Sequence, residues 1–162
     1  MPESEIRFIR QLGFTNVHAD HRLYVALMFQ PRTIAGILAL GIVLQNAWLF
    51  LVLSAVLWWA TAVPTGNLFD ATYNRLIAYP RELPRIPIAP APRRFAQAMA
   101  ATMALAVGTA LLAGATVTAW VLEGLFAIGT TSVVVGRICG PAILYLRLTG
   151  ASHATPSVIG RV

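Results

Sequence analysis

The stretch VLQNAWLF, residues 43–50, lies in the middle of an uncharged run that extends over residues 33–63. A single helix over this run would be about 46 Å long, whereas the hydrocarbon layer of a bilayer is about 30 Å thick. It would also hold the amides of Gln45 and Asn46 near the centre of that layer. Two arms that turn at these amides instead bring them to the far interface and leave Trp48 at headgroup depth, where indole rings are enriched. The run therefore predicts a transmembrane hairpin.

The composition indicates an integral membrane protein. Of the 162 residues, 57% are hydrophobic and 11% are charged, whereas soluble domains carry about 25% charged residues. In water such a chain would expose large apolar patches. All twelve positive residues are arginines, and they lie beside apolar runs. We therefore interpret the high pI of 10.7 as a signal of membrane topology and expect no binding to nucleic acid.

A second apolar region repeats this arrangement. Phe95 to Ala113 forms one arm and Trp120 to Leu146 the other, with residues 114–118 as the tip. We interpret the two regions as a weak internal repeat of hairpins in parallel order. The predicted segments are an N-terminal interfacial segment (1–30), a first transmembrane hairpin (31–63), an amphipathic and Pro-rich loop (64–94), a second transmembrane hairpin (95–148) and a C-terminal tail (149–162).

The arginines predict the topology. They lie before the first hairpin, between the hairpins, and at or after the end of the second, and neither tip contains one. Four crossings place them all on one side, which the positive-inside rule makes cytoplasmic. Two long crossings would leave the five central arginines outside. We therefore expect an all-α integral membrane protein with four transmembrane helices as two hairpins and both termini in the cytoplasm.

Two segments outside the hairpins are predicted to be short interfacial helices. In residues 4–13, Phe8, Ile9 and Leu12 are expected to face lipid or a partner. In residues 66–77, apolar side chains recur at helical spacing. The polar positions of this second helix are Asp70, Asn74 and Arg75.

Small residues recur every four positions in the third predicted transmembrane helix. They are Ala96, Ala100, Ala104 and Gly108. Small residues allow helix backbones to approach closely in lipid, so this face packs either inside the chain's own bundle or against a partner helix. A second stripe at positions 98, 102, 106, 110 and 114 keeps both alternatives open. Trp48, Trp58 and Trp59 are predicted to be anchors at the membrane interfaces.

Few residues suggest chemistry. His18, Asp20 and His21 have metal-ligand side chains, but without a further convergent ligand we expect solvated histidines and no metal site. Glu123 is the one carboxylate in the apolar regions. Intramembrane acids often mark ion paths. Glu123 follows the tip closely, however, so we expect it to reach the far headgroups, with an ion path as the alternative.

The remaining chemical candidate is Cys139. A redox Cys-x-x-Cys motif needs a resolving thiol three residues later, and position 142 is Ala. The sequence also has no Ser-His-Asp set, phosphate loop or paired carboxylates, so we expect no enzymatic activity. It contains no obvious cofactor-binding motif, while contact with lipid or pigment stays open.

The chain resembles a small bacterial membrane domain family of unknown function, whose members have two hydrophobic hairpins joined by a polar, Pro-rich loop. The resemblance covers residues 31–147. It rests on Phe69 with Tyr73, on the stretch PRRFAQ at residues 92–97, and on the segment from Cys139 to Tyr145. Family members often end in Cys-x-x-Cys followed by Tyr, and this chain has Ala142 at the second Cys. The resemblance implies a location in the bacterial inner membrane.

These observations favour a non-catalytic accessory subunit that packs against lipids and other integral membrane subunits of a larger complex. A bioenergetic assembly, such as a photosynthetic reaction-centre or antenna complex, is the expected type. Two alternatives remain. The first is a membrane redox or sulfur-handling protein that uses Cys139, and the second is a small transporter that uses Glu123.

Overall fold

Residues 1–15 and 19–150 are described by a computed structural model. The regular secondary structure of these residues is entirely helical, without a strand, which confirms the predicted all-α class. The α-helices are α1 (Glu3–Gln11), α2 (His21–Leu27), α3 (Phe29–Leu44), α4 (Ala47–Ala62), α5 (Leu68–Tyr73), α6 (Ala91–Leu112), α7 (Thr116–Val134) and α8 (Gly140–Leu148). Between α5 and α6 the chain forms a π-helical turn, Asn74–Ala78, and a 3-10 turn, Tyr79–Arg81.

Within the described part of the chain, three helical segments are long and apolar enough to cross a membrane. They are His21–Leu44, which joins α2 and α3, Ala91–Leu112 and Thr116–Val134. Helix α4 is also apolar, but at 16 residues it is shorter than the roughly 20 residues of a typical span. These lengths and compositions indicate a membrane protein.

The two amides of the opening stretch form the turn between α3 and α4. Gln45 adopts the left-handed conformation (φ 46°, ψ 43°) just after α3, a common way to end a helix. Asn46 then caps α4, because its Oδ1 accepts a hydrogen bond of 2.9 Å from the Trp48 amide. Such a cap satisfies a backbone donor that the first turn of a helix leaves free.

Helix α4 packs most extensively on α6, and α7 lies against both α6 and α3. The backbones of α4 and α6 approach closely at Gly108. A Cβ atom there would lie 2.8 Å from Leu51 Cδ2 and 3.2 Å from the Ala47 carbonyl oxygen. Ser54 Oγ also donates a hydrogen bond of 2.8 Å to the Ala101 carbonyl. Close contact and hydrogen bonding thus hold helices from the two halves of the chain together.

The second arm of the second apolar region differs from the single helix predicted from Trp120 to Leu146. Helix α7 ends at Val134, and α8 begins at Gly140. Arg137 in the connection has a positive φ of 57°. Pro141 lies in the first turn of α8, where its missing N–H and fixed φ are tolerated, whereas inside a longer helix it would break a hydrogen bond. The proline therefore begins a new helix.

Helix α1 packs on the protein's own core. The expectation that Phe8, Ile9 and Leu12 face lipid or a partner is wrong, since Phe8 and Ile9 are fully buried and Leu12 nearly so. They form one apolar cluster with residues of α2 and with Cys139 and Ala142. The break between α7 and α8 brings the start of α8 against α1, and this contact covers the apolar face.

Candidate functional site

A buried ion pair lies where α5 meets the start of α6. Both Nη atoms of Arg93 donate to the Asp70 carboxylate, with 2.9 Å between Nη1 and Oδ2. Asn67 places the acid, because its Oδ1 caps α5 and its Nδ2 donates to Asp70 Oδ2 at 3.0 Å. Asp70 was predicted to be a polar position of a surface helix, but it is buried. The Asp70 side chain of α5 points into the protein, because Arg93 supplies the opposite charge there.

Two glutamines extend this network into the bundle. Gln30 Oε1, at the start of α3, accepts hydrogen bonds from Arg93 Nη2 at 2.8 Å and from Gln97 Nε2 at 3.0 Å. Gln97 is 5% exposed. Its Oε1 is buried and has no hydrogen-bond partner among the described residues. Since an unpaired buried acceptor is costly, this oxygen is the chemically unsatisfied point of the network.

An apolar cavity of about 220 Å³ lies beside the network. Gln30, Arg93, Gln97 and Thr130 contribute the polar part of its lining. The apolar lining comes from α1, the end of α2, α3, α6, α7 and the start of α8. It includes Phe8, Ile34, Ala96, Ala100, Met99, Met103, Leu125, Phe126, Val133 and Pro141. An apolar pocket with a few convergent polar groups is the usual form of a small-molecule site.

Cys139 also lines this cavity. Burial raises the pKa of its thiol, although a hydrogen bond from the backbone of Ala142 acts in the opposite direction. Its amide donates to Gln11 Oε1 at 3.1 Å, which links α8 to α1. Because the thiolate is the reactive form, the raised pKa disfavours reaction at neutral pH.

A second polar cluster joins α1 to the connection between α7 and α8. The carboxylate of Glu5 is buried, and its Oε2 lies 2.9 Å from His21 Nδ1. Arg137 Nη1 lies 3.9 Å from Glu5 Oε1 and donates to Ser4 Oγ at 2.6 Å. The Arg137 guanidinium also lies over the ring of Tyr24, 5.3 Å from its centroid. This cluster fixes α1 in place.

The predicted histidine cluster is only partly described. His18 lies outside the described residues, while Asp20 caps α2 by accepting a hydrogen bond from the Leu23 amide. The His21 side chain is largely exposed and contacts Glu5. Within residues 1–15 and 19–150, no three His, Cys, Asp or Glu side chains are arranged to hold a metal ion.

Glu123 lies near the opposite end of the bundle. It was expected to reach the headgroups, but it is only 2% exposed. Gln45 Nε2 donates to both of its carboxylate oxygens, at 3.2 and 3.1 Å. The left-handed turn at Gln45 directs this amide toward α7. Gln45, at the centre of the first uncharged run, thus connects the turn between α3 and α4 to α7.

The small residues of α6 lie either in the helix packing or along the cavity, and the predicted tryptophan anchors lie on the surface. Ala104 and Gly108 are buried in the bundle, and Gly108 contacts α4. Ala96 and Ala100 are half-buried and line the cavity. The three tryptophans expose 67% (Trp48), 43% (Trp58) and 54% (Trp59) of their surface. The stripe of small residues thus divides between helix packing and cavity lining, and the tryptophan rings face outward.

The sequence interpretation missed the network, although a signal for it was present. Arg93 and Gln97 are one helical turn apart in the stretch PRRFAQ, so they lie on one face of α6. Gln30 precedes the uncharged run and was assigned to the N-terminal segment. Nothing in its local sequence indicates that it meets α6, because only the packing of α3 on the bundle brings them together.

The family comparison agrees with the resemblance noted from the motifs. No curated protein and no solved structure matches the chain. Residues 25–149, which include the whole ion pair, both glutamines and Cys139, match the family described as Domain of unknown function (DUF4395). The chain therefore belongs to the DUF4395 family.

Proposed function

We propose that this protein is a non-catalytic accessory subunit of a larger membrane complex, with four crossings and both termini in the cytoplasm of a bacterial inner membrane. The shorter helix α4 is the additional crossing. Its 16 residues are about 24 Å long, and modest thinning of the bilayer accommodates such a length. A bioenergetic assembly, such as a photosynthetic reaction-centre or antenna complex, is the type that we propose.

The outer face of α7 is the observation that carries the proposal. In its apolar window 17% of the residues are buried, compared with 33% in each of the other two long segments. Val117 and Ile128 are among the most exposed side chains. A Cβ added to Gly124 would meet nothing within 4 Å. An apolar helix with an open glycine suits close contact with another transmembrane helix.

The alternatives receive less support from the geometry. A redox or sulfur-handling role requires an accessible thiolate, but Cys139 is buried and its thiol pKa is raised. A transporter that uses Glu123 requires this carboxylate to face a wet path. Glu123 is instead buried and accepts hydrogen bonds from Gln45.

The experiment is affinity purification in mild detergent, followed by native gel electrophoresis and mass spectrometry of the co-migrating proteins. We expect the wild-type protein to migrate within a larger assembly. Gly124→Trp should weaken that association at least tenfold, because it adds bulk to the outer face of α7. Val52→Trp is the matched control, since Val52 is exposed on α4. A folded wild-type protein that migrates alone would overturn the subunit proposal.

A further inference from the structure

We infer that the cavity beside Gln97 binds an uncharged, lipid-like molecule that carries a hydroxyl group. The hydroxyl donates a hydrogen bond to Gln97 Oε1, and the apolar body of the molecule fills the space between α6 and α7. This ligand site goes beyond the proposed subunit function, because it needs no partner protein.

The orientation of the Gln97 amide follows from the network. Gln30 accepts a hydrogen bond from Arg93 through Oε1, and an arginine can only donate. The group of Gln97 that faces this same oxygen must therefore be its NH₂ group. Rotating the Gln97 amide would place two acceptors against each other. Gln97 Oε1 is thus fixed as an acceptor, and a ligand that satisfies it must supply a donor.

The charge of the site favours a neutral ligand. Among the described residues that line the cavity, Arg93 alone is charged, and both of its Nη atoms are engaged by Asp70 or Gln30. The ion pair is therefore neutral as a unit. A carboxylate or ammonium ligand would enter an apolar cavity without an opposite charge, which is costly. A hydroxyl group meets the requirement for a donor and adds no charge.

The size and lining of the cavity suit part of a lipid-like molecule. An apolar cavity of about 150 Å³ is sufficient for benzene, and this cavity measures about 220 Å³. It therefore accommodates a substituted ring or a short length of alkyl chain. Met99 and Met103 contribute adaptable walls. Met99 is 44% exposed, so this wall borders the outer surface of the bundle, where a molecule dissolved in the bilayer would enter.

The hydroxyl can belong to a phenolic ring or to an aliphatic alcohol, and matched probes separate these sources. We propose binding measurements on the full chain in phosphatidylcholine nanodiscs. The probes are 4-octylphenol, its methyl ether 4-octylanisole, and 1-dodecanol, each at a known mole fraction in the lipid. The phenol and the ether have similar shapes, but the ether has no donor.

Cys139 supplies a local readout because it lines the cavity and is the single cysteine of the chain. Because burial raises the pKa of this thiol and the thiolate is the reactive form, its slow modification by N-ethylmaleimide is followed at mildly alkaline pH by mass spectrometry of the intact protein. A bound probe should slow this modification further. In the wild-type protein we expect 4-octylphenol to protect Cys139 at about three- to tenfold lower mole fraction than 4-octylanisole, the range expected for one neutral hydrogen bond. Tighter protection by phenol than by dodecanol assigns a ring headgroup, and the reverse assigns an aliphatic alcohol.

Two variants test the role of Gln97. Gln97→Met keeps the length of the side chain without the acceptor, so the preference for phenol over ether should disappear. Gln45→Met removes an amide at the far end of the bundle and should retain the preference. Should Gln97→Met fail to fold, Ala100→Phe fills the cavity from α6 and should abolish protection by every probe. Equal protection by phenol and ether in the wild-type protein, or protection by no probe, would overturn the inference and leave a cavity occupied by water or nothing.

Discussion

At the residue scale, the buried pair of Arg93 and Asp70 organises the end of the bundle where α3, α5 and α6 meet. Taking two charges out of water is expensive, and their attraction compensates for this only with good geometry and further hydrogen bonds. Here two Nη contacts, Asn67 and Gln30 supply those bonds. The pair also joins α5 to α6 and, through Gln30, to α3. Its main contribution is therefore to define where these helices meet.

This arrangement predicts the effect of removing one partner. Arg93→Met leaves the Asp70 carboxylate buried without its counter-charge and should lower the free energy of unfolding by about 3–5 kcal/mol. The double variant Arg93→Met with Asp70→Asn removes both charges and should recover part of this loss. Unfolding in detergent, followed by circular dichroism during a denaturant titration, measures both values.

Arg32→Met is the matched control, because Arg32 is exposed on α3. Surface changes of this kind usually alter stability by about 0.5 kcal/mol or less. Equal losses for Arg93→Met and Arg32→Met would show that the ion pair contributes nothing specific. A double variant no more stable than Arg93→Met would show that the uncompensated carboxylate is not the cause.

At the element scale, α6 has two faces with different neighbours. Its buried face approaches α4 at Gly108 and Ala101, while Ala96 and Ala100 line the cavity toward α7. Small residues of α6 thus allow close packing against α4 on one face and leave room for the cavity on the other. Helix α7 contrasts with α6, because most of its surface faces outward. Glycine therefore allows close packing of α6 on α4 at Gly108, whereas at Gly124 of α7 it leaves an open surface.

Two glycine substitutions should show this contrast. Gly108→Ala places a Cβ 2.8 Å from Leu51 Cδ2 and 3.2 Å from the Ala47 carbonyl oxygen, so α4 must shift. We expect a loss of about 1–3 kcal/mol in the free energy of unfolding. Gly124→Ala meets no atom within 4 Å and should be neutral or stabilising by up to about 1 kcal/mol. The denaturant titration checks both, and a neutral Gly108→Ala would contradict the close packing of α4 and α6.

At the scale of the whole molecule, the helix pairs α3–α4 and α6–α7 are joined at both ends. Gln45 contacts Glu123 at one end, and the Arg93 network links α3 with α6 at the other. Helix α1 and the Glu5 cluster cover the second of these ends. The proposed four-crossing topology would place this polar end and its arginines on the cytoplasmic side.

Labelling of single cysteines tests the topology. In a Cys139→Ser background, the exposed residues Glu3, Ile88 and Val117 are each replaced by Cys. In intact cells an impermeant maleimide should label Val117→Cys, because the proposed topology puts the start of α7 at the outer interface. Glu3→Cys and Ile88→Cys should react only after the membrane is permeabilised. Labelling of Ile88→Cys from outside, together with a protected Glu3→Cys, would mean that α4 does not cross.

The sequence by itself determined the helical membrane class and the turn at Gln45 and Asn46. Both follow from local causes, since an uncharged run limits length and amides prefer the interface. Only the tertiary structure decided that Phe8, Ile9 and Asp70 face inward and that Gln45 meets Glu123. It also decided that Gln97 Oε1 lies beside a cavity without a partner in the described part of the chain. These features depend on residues far apart in the chain. Periodicity states which side of a helix is apolar or polar, whereas the packing of the other helices decides what that side meets.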